Sequence, residues 1–204
     1  MTIRLTNLQE TAADAAPMSM AAKPGRNAAR TRERILAAAQ AVFASRGYAH
    51  AGIRDIALAA GVNIALVARY FGPKEKLFEA ALDNALTRTD QLWTQPRSRF
   101  GDGLVSALFD GEAPAINPLP ILMQASSDPV AQAVALDLLR KRVAEPLAVW
   151  LGDPNGDVRA AEILALTAGV FLYRIMLPLA PFEGRLHPSA RAWLADALQR
   201  IVDA

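Results

Sequence analysis

Between Ala28 and Arg46 the apolar residues Ile35, Ala39, Val42 and Phe43 recur at the spacing of a single helix face. That pattern predicts a first helix stopped by Gly47, with Tyr48 folding back onto its last turn. A second, short helix is predicted over Ile53 to Ala60, with Gly52 as N-cap and Asp55 in the first turn, where the helix dipole favours an anion. Gly61 breaks the pattern, and Asn63 is a good N-cap for a third helix from Ile64 to Phe71. Gly72-Pro73 then ends that helix and opens a long fourth one. Its apolar stripe is Leu77, Phe78, Ala81, Leu82 and Ala85, continued by Leu92 and Trp93.

A boundary follows at Gln95-Pro96. Gly101, Gly103 and Gly111, with Pro114, Pro118 and Pro120, predict a loosely helical, turn-rich connector. Three further helices are expected, from Pro129 to Leu151, Asp157 to Leu177 and Pro188 to Val202, the first kinked at Pro146. Asp153-Pro154-Asn155-Gly156 is a turn between the first two. Alternating β-branched runs are absent, so the expected fold is all-α.

Composition narrows the class. The chain has 204 residues, 52% hydrophobic and 21% charged, which describes a globular protein. No apolar run reaches the roughly 18 residues of a membrane span, and residues 1–22 lack the apolar core of a signal peptide, so a cytoplasmic protein without a membrane partner is expected. The absence of cysteine excludes disulfides and thiolate-held metals, and two histidines make a histidine metal cage an unsuitable reading. No nucleophile–base pair or phosphate-cradling loop stands out, so neither catalysis nor a cofactor is expected. Charge is uneven: residues 1–100 carry 14 Lys and Arg against 8 Asp and Glu, whereas residues 101–204 carry 8 against 12. The basic N-terminal half is the one suited to a polyanion.

Two helices of about eight residues joined at Gly61 have the form of a helix-turn-helix, with Ala57 as the small residue at the crossing and Ile56, Val62, Val67 and Phe71 as its apolar lock. The residues go further than spacing. Arg30 to Leu82 includes Ile-Leu-x-Ala-Ala, Val-Phe-Ala-x-x-Gly-Tyr, Ile-Arg-Asp-Ile-Ala, Ala-Gly-Val and Tyr-Phe-Gly-x-Lys-Glu-x-Leu-Phe. This segment resembles the DNA-binding domain of TetR-family transcriptional regulators. The resemblance implies that Asn63, Ile64 and Ala65 open a recognition helix, that Arg69 and Tyr70 contact DNA near its end, and that Lys74 binds phosphate. It makes Arg54 a lesser phosphate candidate. The chain departs from the family at Ala51-Gly52-Ile53, where many members carry a hydroxyl residue, and at Ile64, where many carry a polar or basic one. An apolar front of Ile64, Ala65 and Leu66 favours thymine methyl contacts over bidentate hydrogen bonds.

The expected organisation is a disordered arm over residues 1–28, a DNA-binding domain over 29–90 and a helical regulatory and dimerisation domain over 91–204. The segment Leu164 to Leu177 is apolar nearly all round, which predicts a subunit interface including Leu164 and Leu172. A ligand pocket is expected between the kinked helix, the connector and the helix Asp157–Leu177, lined by Phe109, Met123, Trp150 and Phe171; Arg174, in an apolar helix, either is paired or interfacial or meets an anionic end of the ligand. The function expected from these features is a homodimeric repressor that releases operator DNA on binding a small apolar or amphipathic effector. The rival reading is a DNA-binding protein or activator that senses no small molecule.

Overall fold

The structure is a computed structural model and describes residues 24–87, 96–110 and 117–204. Four helices form the N-terminal part: α1 (Pro24–His50), α2 (Ile53–Ala60), α3 (Ile64–Phe71) and α4 (Lys74–Leu86). Each end has a local cause. The helical path of α1 breaks at Gly47, whose φ of 71° few side chains tolerate. The C-cap of α2 is Gly61 in the left-handed region, its N–H returned to Ala57 O and Leu58 O. Asn63 caps α3 by accepting the Ala65 N–H at 2.8 Å. Pro73 stands at the N-cap of α4, just ahead of the first helical turn.

The remaining helices are α5 (Phe100–Val105), entered through a 3-10 turn at Arg97–Arg99 and continued by a π turn at Ser106–Asp110, α6 (Pro118–Ala125), α7 (Pro129–Leu139), α8 (Glu145–Leu151), α9 (Gly156–Phe171) and α10 (Pro188–Asp203). The described residues contain no strand, so the fold is all-α. None of their helices is long and apolar enough to cross a membrane.

Three expectations change. The described parts of the connector are helical, over residues 97–110 and Pro118–Ala125, and Gly101 is not a breaker. Its missing Cβ lets α5 cross α10 closely, because a Cβ there would overlap the Ala195 carbonyl. Residues 24–28, inside the stretch expected to be a disordered arm, are helical. The kink at Pro146 is realised as a π turn over Arg140–Ala144 between α7 and α8, where the proline has no N–H to give the regular ladder. A second π turn, Leu172–Met176, closes the helix expected to run straight to Leu177. The predicted extension of the fourth helix through Leu92 and Trp93, and the arm over residues 1–23, lie outside the described residues.

Burial divides into two apolar clusters. In the first, Ile35, Phe43, Ile56, Val67, Leu77 and Phe78 pack the helix-turn-helix together with Ile121, Ala131 and Leu138 from α6 and α7. The second joins α5, α8, α9 and α10 through Phe100, Leu147, Ile163, Leu194 and Leu198. Two polar side chains lock these layers. Gln40, only 3% exposed, donates to Ala81 O at 2.7 Å and to Asn84 Oδ1 at 3.0 Å, tying α1 to α4. Arg159, 7% exposed, donates to Leu151 O, Gly152 O and Val202 O, so its charge is held at the carbonyl ends of α8 and α10.

Candidate nucleic-acid interface and regulatory cavity

The recognition-helix geometry follows from the lock beneath it. Val67 is fully buried, which turns Asn63, Ile64, Ala65 and Arg69 outward as an exposed face. Arg34 reaches from α1 to the end of α2, donating to Ala60 O and, at 3.1 Å, to Gly61 O. Arg34 is one of the cations of the basic N-terminal half. It satisfies helix-end carbonyls at the turn that sets the α2–α3 angle. Arg32 lies 5.2 Å from the Phe71 ring centre, and Tyr70 stands half-buried beside Phe71 at 6.3 Å between rings.

Lys74 is half-buried, with its ammonium 4.5 Å from the Tyr48 ring centre and 3.3 Å from Ala49 O. It therefore points to the last turn of α1, beyond Gly47, as a positive charge on that side of the helix-turn-helix. Burial pushes the Tyr48 phenol pKa up, with Glu75 and then Asp128 adding to the shift. Arg54 is exposed at the start of α2, while its neighbour Asp55 forms an ion pair with Arg46 at 2.8 Å. Ile64 is 43% exposed, a large apolar side chain left at the outer face of a helix N-terminus.

A cavity of about 100 Å³ lies between the helices expected to enclose a pocket. Leu86 closes it from α4, Leu104 and Leu108 from α5 and its π turn, and Asn117, Pro118, Leu119 and Leu122 from α6. Val143 lines it from within the π turn of the kinked helix and Leu139 and Leu147 from either side of that turn, and Ile163, Leu164 and Thr167 complete the wall from α9. None of the five side chains expected to line a pocket borders this cavity. Phe109 and Phe171 pair at 6.4 Å in the second cluster, with the Arg174 guanidinium 5.3 Å from the Phe109 ring. Arg174 Nη1 is buried without a hydrogen-bond partner. Trp150 packs on Phe100 at 5.0 Å and carries Arg97 over its ring, and Met123 is half-buried on α6. The rings fill the core in pairs, and the gap remains where leucine tips meet the irregular turn. Leu164 stands on the cavity wall, away from the outer apolar face, and Leu172 is half-buried in the second π turn.

That outer face is a second feature. Tyr173, Ile175, Met176, Leu177 and Leu179 are exposed after α9, and Trp193 on α10 is 49% exposed. Of these, Tyr173, Leu179 and Trp193 border a surface depression of about 310 Å³ that also includes Ala165 and Gly169. Between cavity and DNA-binding helices, Arg142 in the first π turn bonds Asp83 of α4 at 2.6 Å.

Comparison with known proteins places these features. Residues 35–81 match the model of bacterial regulatory proteins of the tetR family. Residues 98–202 match that of the tetracyclin repressor-like C-terminal domain. An HTH-type transcriptional repressor of Mycobacterium tuberculosis is 34% identical over 179 residues, covering 83% of this chain and 87% of that protein. The crystal structure of a TetR-family regulator from Streptomyces coelicolor superposes with a TM-score of 0.53 at 27% identity, covering 90% of this chain and 99% of the other. The multidrug binding protein EbrR, crystallised with ethidium, shares the fold at 19% identity with a TM-score of 0.60, covering 84% of this chain and 98% of its own. With both halves matched and a relative similar over most of its length, the chain belongs to the TetR family of bacterial transcriptional regulators, and it is a regulator, not an enzyme.

Proposed function

We propose that this regulator acts as a homodimeric repressor whose hold on operator DNA is released when a small apolar molecule enters the cavity beside α4. The observation that carries this reading is the position of α4. It starts at Lys74, next to the recognition helix, and ends at Leu86 on the cavity wall. A molecule that pushes on Leu86 acts directly on this helix, which joins the DNA-binding face, and Leu139 and Val143 stand on elements packed against it. The Arg142–Asp83 pair gives the π turn a second grip on that helix. EbrR, a fold relative, was crystallised with ethidium, which supports a ligand-binding role for the regulatory half.

In this reading Asn63, Ile64 and Ala65 meet base edges in the major groove, and Arg69, Tyr70, Lys74 and Arg54 meet the backbone. The dimer forms through the outer apolar face. Ala161, Ala165 and Gly169 stand one helical turn apart along α9, and the side opposite the core leaves space above Gly169. A glycine inside a helix costs about 1 kcal/mol relative to alanine, and close approach of a partner helix accounts for it here.

Selection of bound sequences from random DNA tests the reading. It should yield a pseudo-palindrome with half-sites about 34 Å apart, or farther apart on deformed DNA, with thymine enriched opposite Ile64. A pool without enrichment contradicts a sequence-specific repressor. The rival reading, a DNA binder without an effector, has one observation in its favour. The cavity is about 100 Å³, below the roughly 300 Å³ at which ligand pockets usually begin.

A further inference from the structure

The side chains around the cavity restrict what can occupy it more tightly than its position does. Leu86, Leu104, Leu122, Val143, Leu147 and Ile163 are all aliphatic, and among the described residues no lining side chain is an acid, a base or a histidine. No described lining residue is aromatic either, so an organic cation finds no ring face among them to replace its water. The two polar residues of the wall are already engaged. The Thr167 hydroxyl donates within its own helix, 2.8 Å from Ile163 O and 3.1 Å from Leu164 O. Asn117 Oδ1 accepts the Leu119 N–H at 2.9 Å, which orients the amide and leaves its NH₂ as a donor at the cavity edge. Arg174, the residue expected to meet an anion, lies over the Phe109 ring, and neither residue belongs to the lining.

Resting on the reading of this cavity as the effector site, we propose that the effector is an uncharged, apolar molecule of about the size of a substituted benzene ring, with at most one hydrogen-bond acceptor, facing Asn117. An apolar cavity of about 150 Å³ lined by aliphatic and aromatic side chains takes up benzene. At about 100 Å³ the present one accepts a single ring with small shifts of its leucine tips. A charge placed there would lose its hydration against a wall that returns no counter-charge, and the effective cost of several kcal/mol corresponds to two or more powers of ten in affinity.

The test uses the full-length protein at pH 7 and four probes that share one ring: toluene, benzyl alcohol, benzoate and benzylammonium. Calorimetry and thermal unfolding should show toluene and benzyl alcohol binding and raising Tm. Benzoate and benzylammonium should bind at least about 100-fold more weakly. Val143→Phe, which fills the cavity, should weaken toluene binding tenfold or more, and Leu108→Phe fills it from the half-buried rim if the first variant does not fold. Three results would overturn the proposal: a charged probe binding within tenfold of toluene and losing affinity in the filled variants, toluene binding that both variants leave intact, or no binding by any probe. Toluene binding that leaves operator affinity unchanged supports the chemical class of the ligand and instead removes the release mechanism.

Discussion

Lys74 stands in the first turn of a helix, where the dipole repels a cation, and its ammonium leans on the Tyr48 ring and Ala49 O. These contacts are worth about 1 kcal/mol at an exposed site, and they hold the charge where a phosphate would pass. Lys74→Ala should therefore weaken binding to all sequences alike and reduce the salt slope by about 1 per half-site, as read from operator titrations between low and moderate salt. An unchanged slope would remove Lys74 from the phosphate contacts. At this scale the sequence was legible wherever a residue acts on its own neighbours. Asn63 as a cap and Gly61 as a left-handed stop follow from local backbone needs. Gln40, Arg34 and Arg159 could not be read that way, because each acts on carbonyls 7 to 43 residues distant. A glutamine within an apolar helix pattern, at a position that packing makes buried, was the one available signal. The lining of the cavity was illegible for the opposite reason. Aromatic residues suggest a ligand platform, but Phe109, Phe171 and Trp150 find partners within the fold.

Among the elements, α2 and α3 have the bounds expected from the sequence because each end carries its own stop signal. The helices α5 and α6 were read as a connector because glycine and proline are breakers in isolation. Gly101 instead serves the crossing with α10, and Pro118 occupies the first turn of α6, where no donor is lost. The π turn at Arg140–Ala144 is the element that links the two halves in function. Its Val143 faces the cavity and its Arg142 holds Asp83 on α4. The pair is partly exposed, so Arg142→Ala should change stability by no more than about 1 kcal/mol. It should also reduce the factor by which cavity occupancy weakens operator binding. Denaturant unfolding and operator titrations with and without toluene check both parts. Unchanged coupling would mean that the signal reaches α4 through Leu86 alone.

For the whole molecule, the uneven charge and the two apolar clusters express one division of labour. The basic helix-turn-helix shares its core with α6 and α7, so the DNA-binding half and the cavity wall are mechanically continuous. The second cluster leaves Trp193 and the residues after α9 exposed. Trp193→Glu should give a folded monomer, because the side chain is half-exposed in the single chain and only a dimer would bury the new charge. Light scattering with circular dichroism checks this, and a stable dimer of the variant would move the interface elsewhere. The all-α division was legible in the sequence because helix periodicity and breakers are local. The pairing of outer faces depends on a second copy, and a single sequence carries it only as an apolar surplus on α9. The most direct test of the account is operator affinity measured with the cavity empty and with it saturated by toluene. Coupling of about 1–3 kcal/mol predicts operator binding weakened roughly 5–150-fold, and toluene binding weakened by the same factor when operator is present. Equal affinities in the two states, with toluene bound, would contradict it.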